Sequence, residues 1–184
     1  MKIPSHAKLV FKGIIHDVYQ WEQELFDGTR KTFEALKRPN TTVVIPLQGD
    51  QVVYAKQEQP GHPPYISLFG GRAEEGESPL ESAKRELLEE TGLTSDDWQE
   101  LRVFPTPGKI EHGVYYFVAR NCQKTGEQQL DGGEKIEIFT APLDDFISKI
   151  VTAKGFAEFE IQQELMSAFN PVAAEKLKNE ILGK

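Results

Sequence analysis

Cys122 is the only cysteine among 184 residues, so the chain has no disulfide framework and no cysteine-built zinc site. A lone thiol of this kind reads as a small apolar filler near a strand end. Basic residues are also in short supply: 21 Lys and Arg stand against 29 Asp and Glu, giving a net charge of −8. Non-specific nucleic-acid binding relies on Lys and Arg set against phosphates, so no nucleic-acid partner is expected. No apolar run approaches the length needed to cross a bilayer, and Met1-Lys2-Ile3-Pro4-Ser5-His6 lacks the apolar core of a signal peptide. The expectation is a cytoplasmic location with no membrane partner. Internal repeats and low-complexity tracts are missing too. One well-buried core plus a modest appendage fits this length.

What the chain does have is concentrated between Gly71 and Leu93. A glycine loop, Gly71-Arg72-Ala73-Glu74-Glu75-Gly76-Glu77, feeds an acidic segment with clear helix punctuation. Ser78-Pro79-Leu80-Glu81 is a capping box with proline at the first helical position. Gly92 stands where a left-handed C-terminal cap is wanted. Leu80, Ala83 and Leu87 recur at helical spacing and form the stripe to be buried. Glu86, Glu89 and Glu90 fall at i, i+3 and i+4, so they project from a neighbouring face. Three carboxylates that close repel one another unless a cation intervenes. Hard oxygen donors at this density suit Mg²⁺ or Mn²⁺, above all when substrate phosphates complete the shell. A solvated acidic helix is the bland alternative, but the glycines, the arginine and both caps agree with the sharper reading. The overall negative charge does not exclude a small anionic substrate, because bound divalent cations invert the local field.

These residues also spell a signature. Gly71, Glu77, Arg85, Glu86, Leu87, Glu89, Glu90, Gly92 and Leu93 fill every specified position of a segment that resembles the Nudix box. The resemblance implies an α/β/α sandwich with a mixed sheet, and metal-dependent cleavage of a nucleoside diphosphate linked to another group. It further implies that Glu86, Glu89 and Glu90 are metal ligands, joined by the carbonyl of Gly71. Arg85 and Glu77 look like the pair that steadies helix and loop.

Along the rest of the chain, Val10 to Tyr19 is β-rich, and Asp27-Gly28 is a hairpin signal between Trp21–Phe26 and Lys31–Leu36. Thr41 to Leu47 reads as a buried strand and Gln51 to Lys56 as its partner. Gln59-Pro60-Gly61-His62-Pro63-Pro64 is a rigid loop. Strands follow at Leu101–Phe104, Val114–Arg120 and Ile136–Thr140, with a helix starting at Leu143. Phe156, Phe159, Ile161, Leu165 and Phe169 mark one amphipathic helix, and Ala173 to Lys184 is a polar helical tail that frays. The expected organisation is an N-terminal β extension over residues 1–38, a catalytic domain over 39–170 and a C-terminal helical tail over 171–184. The extension is too short to bury a core alone, so it packs on the main domain or on a second subunit.

Beyond the box, residues 10 to 165 resemble the ADP-ribose pyrophosphatase and nucleoside-diphosphate-sugar hydrolase branch of that family. The similarity lies in the Pro107-Gly108 turn, the acidic loop Asp131-Gly132-Gly133-Glu134-Lys135-Ile136-Glu137, and Phe33-Glu34-Ala35-Leu36-Lys37-Arg38. It implies that Phe33 stacks on a base, Glu34 hydrogen-bonds that base, and Arg38 holds the diphosphate, in a homodimer. Gln59 stands where the branch usually carries an arginine on the diphosphate, which leaves the sugar and the clamping mode open. Glu134 is the candidate base for an attacking water, in preference to Glu137 or Asp131, with Glu86 and Arg85 completing the catalytic set. Two alternatives remain: hydrolysis of nucleoside triphosphates or dinucleoside polyphosphates, and a module that binds nucleotides without cutting them.

Overall fold

The structure, a computed structural model, describes residues 1–153, 155–166 and 171–184. Among these the chain runs β1 (Lys8–Phe11), β2 (Asp17–Glu24), β3 (Arg30–Lys37), β4 (Thr41–Gln48), β5 (Gln51–Glu58), β6 (Tyr65–Ser67) and α1 (Pro79–Thr91). Then come β7 (Leu93–Thr94), β8 (Asp97–Pro105), β9 (Ile110–Glu111), β10 (Gly113–Arg120), β11 (Gln123–Lys124) and β12 (Lys135–Pro142). Three helices close it: α2 (Leu143–Thr152), α3 (Phe159–Met166) and α4 (Pro171–Leu182). Among the described residues no helix is long and apolar enough to cross a membrane.

The central sheet has the order β12-β5-β4-β10-β8, with β6 added on β5. It is mixed, because β4 and β10 pair in parallel while β10 and β8 pair antiparallel. Near-continuous apolar runs such as Thr-Val-Val-Ile-Pro-Leu belong to strands covered on both faces. Side chains alternate across the sheet accordingly. Val43, Ile45, Tyr54, Tyr116 and Val118 face one core with Phe146 and Ile150 of α2, Ile161 of α3, and Leu177 and Ile181 of α4. Val44, Val53, Ala55, Phe117 and Ala119 face the other with Ala83 and Leu87 of α1. The result is the expected α/β/α sandwich, with α1 alone on its face.

A second sheet, β1-β2-β3-β9, is built from the N-terminal residues plus one short strand of the main body. Asp27-Gly28 turns the β2–β3 hairpin, with Gly28 at φ 80, a left-handed conformation that glycine adopts freely. Trp21 and Ala35 are buried there, whereas Leu9, Val10, Phe11, Ile14 and Ile15 are exposed. The β-rich stretch from Val10 to Tyr19 is not continuous: it breaks between Phe11 and Asp17, where the Gly13 N–H turns to Asp17 Oδ1 at 3.2 Å.

Two helical expectations are corrected. The segment from Phe156 is not one helix, because Phe156 bridges to Ile66 and α3 begins only at Phe159. Phe169 lies outside the described residues. The C-terminal helix is not a frayed polar tail either. Leu177 and Ile181, at i and i+4, enter the main core, and Arg120 donates to the carbonyls of Glu180 and Ile181 at 2.7 and 2.9 Å.

Candidate active site

Helix α1 is bounded as its sequence demands. Glu81 N–H donates to Ser78 Oγ at 3.3 Å while Ser78 N–H donates to Glu81 Oε2 at 2.8 Å, satisfying two donors left over at the helix start. At the other end Gly92 adopts φ 68 and donates to Leu88 O at 2.7 Å. With Ala83 and Leu87 fully buried, the helix cannot rotate, and Glu86, Glu89 and Glu90 are aimed along the neighbouring face.

Arg85 organises that face. Its Nε and Nη2 grip Glu77 Oε1 and Oε2 at 3.0 and 3.1 Å, a fork that ties the glycine loop to the helix. Nη1 reaches Glu86 Oε1 at 2.9 Å and Glu89 Oε2 at 3.0 Å. The guanidinium accordingly holds the Glu77 carboxyl below its usual range. Burial pushes Glu86 up, against the pull of Arg85.

Glu90 is 4% exposed, and its Oε2 accepts from Gly70 N–H at 2.7 Å. Burial pushes its carboxyl up to about 9; the Gly70 N–H works against this, and the carboxylates of Glu86, Glu134 and Glu158 add to it. The Gly71 carbonyl accepts from Thr42 N–H at 2.9 Å, and Gly71 lies close against the Glu86 carboxylate. Among the described residues no three acidic, histidine or cysteine groups yet converge on one point: Glu86 and Glu89 turn to Arg85, and Glu90 turns to Gly70.

Beside Glu90 opens a pocket of about 350 Å³ that brings together Arg38, Gln59, Glu90, His112 and Glu134 from distant parts of the sequence. Arg38 Nη2 donates to Thr41 Oγ1 at 3.3 Å, and its buried Nε has no partner among the described residues. His112 is held at both ring nitrogens, by Thr41 Oγ1 at 3.1 Å and Thr106 Oγ1 at 2.5 Å. Burial, then the Arg38 charge, lowers its basicity, favouring the neutral ring. Glu134 Oε2 accepts from Asp131 N–H at 3.3 Å at the tip of the acidic loop, whereas Glu137 is exposed on β12.

Phe33 and Glu34 do not line this pocket. Phe33 packs on Trp21 at 6.0 Å between ring centroids, and Lys109 Nζ sits 4.6 Å from the centre of its ring. Glu34 Oε2 accepts from Gln20 at 2.8 Å.

Sequence reasoning missed two groups. Glu158 and Glu160 line the same pocket, contributed by the segment that opens α3. Glu158 Oε1 accepts from Leu68 N–H at 3.0 Å, and burial pushes its carboxyl up to about 8. The readable signal was an acidic residue immediately before a helix, hidden by extending that helix back to Phe156. The second group is the segment from Lys124 to Gln129, which covers the carbonyl end of α1. Gln129 N–H reaches Glu89 O at 2.7 Å, Gln128 Nε2 reaches Glu90 O at 2.8 Å, and Lys124 Nζ reaches Thr91 O at 2.9 Å. No motif marks it.

Comparison with known proteins bears on the family and the fold. A family model of the NUDIX domain matches residues 36–159. The chain is similar to the ADP-ribose pyrophosphatase of Bacillus subtilis (strain 168), 29% identical over 145 residues covering 77% of this chain and 78% of that protein. It is also similar to the methanol dehydrogenase activator of Bacillus methanolicus, 26% identical over 145 residues with 77% and 78% covered. Among solved structures, a crystal structure of ADP compounds hydrolase matches with a TM-score of 0.69 at 21% identity, covering 97% of this chain and 92% of that one. At that identity the likeness bears on the fold.

Proposed function

The chain belongs to the Nudix hydrolase family, and from that premise we propose that it cleaves the diphosphate of a nucleoside diphosphate sugar. The products are a nucleoside monophosphate and a sugar phosphate. The observation that carries this reading is the single pocket holding Arg38, Gln59 and His112 together with Glu90 and Glu134. Such a set offers donors to phosphate oxygens beside carboxylates able to handle a cation and a proton. The distant similarity to an ADP-ribose pyrophosphatase supports the same substrate class.

Glu86, Glu89 and Glu90, with the Gly71 carbonyl, are the proposed holders of Mg²⁺, for which Mn²⁺ can substitute. The donor set fits: Glu86 and Glu90 are raised by burial and by neighbouring carboxylates, a crowding of negative charge that a hard cation relieves. When bound, the metal supplies neutralisation of charge on phosphoryl oxygens and acidification of a water. Arg85 bridges Glu86 and Glu89 through one nitrogen, Nη1, and locks the glycine loop through Glu77. Arg38 presents its guanidinium to phosphate oxygens, and Gln59 offers an amide N–H in the same pocket. Glu134 accepts the proton of the attacking water.

Phe33 is proposed to stack on the base and Glu34 to hydrogen-bond it. Their distance from the pocket within one chain favours a homodimer in which the N-terminal sheet of one protomer serves its partner. The exposed Leu9, Val10, Phe11, Ile14 and Ile15 support an interface there. Light scattering at two concentrations tests the dimer; a monomer at both refutes it.

The test of function is a Mg²⁺-dependent turnover screen of ADP-ribose, ADP-glucose, GDP-mannose, UDP-glucose, ATP and diadenosine polyphosphates, with products separated by chromatography. Monophosphate plus sugar phosphate is expected. Turnover confined to triphosphates or dinucleotides overturns the substrate assignment and leaves the metal site standing.

A further inference from the structure

One end of the pocket is unlike the rest. Arg38 and Gln59 suit phosphate, and Glu90 and Glu134 are assigned to the hydrolytic machinery, but Ser67, Glu158 and Glu160 have no task there. The local hydrogen bonds account for most of the polar atoms. Gln57 spends its amide on Leu68 O at 3.2 Å and accepts from Tyr65 OH at 3.3 Å. Glu160 Oε2 accepts from Tyr116 OH at 3.0 Å, and Glu158 Oε1 accepts from Leu68 N–H at 3.0 Å.

At this end of the pocket two atoms are left over: Ser67 Oγ and Glu158 Oε2 are buried with no partner among the described residues. They belong together, since the Leu68 N–H that anchors Glu158 directly follows Ser67. Ser67 is 2% exposed and Glu158 8% exposed, and both line the pocket, so a partner reaching them comes from its contents after a small side-chain rotation. Buried polar groups in folded proteins are almost always satisfied, which makes this pair a vacancy for hydrogen bonds.

Resting on the hydrolase reading above, we infer that Ser67 and Glu158 form a subsite for the hydroxyl groups of the non-nucleotide part of the substrate. A hydroxyl donates to the Glu158 carboxyl and accepts from Ser67 Oγ, matching both vacancies at once. A further phosphate would instead lie beside the Glu160 carboxylate and is repelled. The subsite therefore selects a neutral polyhydroxyl group over a third phosphate.

The test compares kcat/KM for ADP-ribose and for the methyl ester of ADP, which keeps the diphosphate and lacks the sugar. The full-length protein is used with Mg²⁺, as wild type, Glu158→Gln and Ser67→Ala. Gln retains a carbonyl oxygen for Leu68 N–H, so the α3 anchor survives. Wild type is expected to favour ADP-ribose, and each variant to lower the ratio of the two kcat/KM values by about tenfold, the loss of one strong hydrogen bond. A ratio moved less than threefold in both variants, or equal losses on both substrates, overturns the subsite. Wild type that cleaves both substrates equally also overturns it and leaves the hydrolase reading intact. Wild type that cleaves neither these two nor any other nucleoside diphosphate sugar of the screen overturns that reading and the subsite with it. If another of those sugars is the substrate, the same comparison is made with it and its methyl nucleoside diphosphate.

Discussion

Gly71→Ala separates the chemistry of this site from its folding. A Cβ at Gly71 would meet Glu86 Cδ at 2.7 Å and Glu86 Oε2 at 2.9 Å, with Oε1 nearer still. Ordinary contact begins near 3.4 Å, so the carboxylate must retreat by roughly 0.7 Å or more. Gly71 is not in the left-handed region, so alanine brings no backbone strain there. It gains about 0.4–1 kcal/mol by restricting the unfolded chain. An off-rotamer Glu86 costs about 0.5–1.5 kcal/mol in return. The net effect on stability is within about 1 kcal/mol, a few degrees in Tm. Catalysis is less forgiving, since displacements approaching 1 Å in a reacting constellation cost on the order of 10- to 100-fold. The expected result is kcat down by that factor, with a near-wild-type thermal melt. Gly70→Ala is the contrast: its φ of 147 and a Cβ only 2.9 Å from the Thr42 carbonyl carbon set backbone against backbone. That variant loses roughly 3 kcal/mol of stability or more. Gly71→Ala with kcat within threefold of wild type at saturating Mg²⁺ refutes the claim that Glu86 must sit where the glycine leaves it.

Glu90→Gln is isosteric and keeps an acceptor for Gly70 N–H, so its melt is expected to match wild type while Mg²⁺-dependent turnover falls at least about 100-fold; retained turnover removes Glu90 from the machinery. Stability will also depend on pH through Glu158. Its folded carboxyl is raised to about 8, so between the ordinary carboxylate range and pH 8 the native state binds a proton that the unfolded chain does not. Stability therefore falls as pH rises through that window, by up to about 1.4 kcal/mol per unit. Glu158→Gln is expected to lessen that slope between pH 5 and 8 by about one proton's share, with the raised Glu90 carboxyl supplying the remainder, and an unchanged slope refutes the assignment. Gln128→Leu leaves Glu90 O and Ile136 O without their side-chain donor, at about 1–3 kcal/mol. It is expected to raise the Mg²⁺ concentration needed for half-maximal activity. A destabilised variant with unaltered Mg²⁺ dependence shows Gln128 to be a fold support only.

The sequence announced α1 almost to the residue, because capping and periodicity are local. Ser78, Pro79, Glu81 and Gly92 act within four residues of their partners, and Leu87 needs only an apolar neighbour to become buried. Paired strands were legible for the same reason: Val43 and Val44 must go to opposite faces whatever covers them. What could not be read was convergence. Glu158 meets Leu68 across 90 residues, and His112 meets Thr41 across 71, with no spacing to betray either contact. The error at Phe156 came from periodicity itself: an apolar residue at helical spacing pairs with Ile66 instead, because a sheet edge was available to it. Leu177 and Ile181 were undervalued because only two apolar positions on a polar helix sufficed once Arg120 had fastened the end.

The α1 carboxylates and the far end of the pocket are held by different segments, and under the proposed function this bears on how specificity can change. Glu86, Glu89 and Glu90 are fixed by α1, by Arg85, and by the Lys124–Gln129 segment that satisfies the helix's final carbonyls. That segment runs directly into the loop bearing Glu134, so the proposed base and the proposed metal ligands share one support. Ser67, Glu158 and Glu160 hang from β6 and the start of α3, joined through Leu68 N–H and the Ala157 N–H to Ile66 O bond at 3.1 Å. The two units meet at Gly70, which lies two residues after Leu68 and donates its N–H to Glu90, so a change confined to the Glu158 or Glu160 side chain reshapes the far end of the pocket with the least pull on α1. One motif can therefore persist unaltered while the group beyond the diphosphate changes, which is why the box identifies the reaction and says nothing about the sugar.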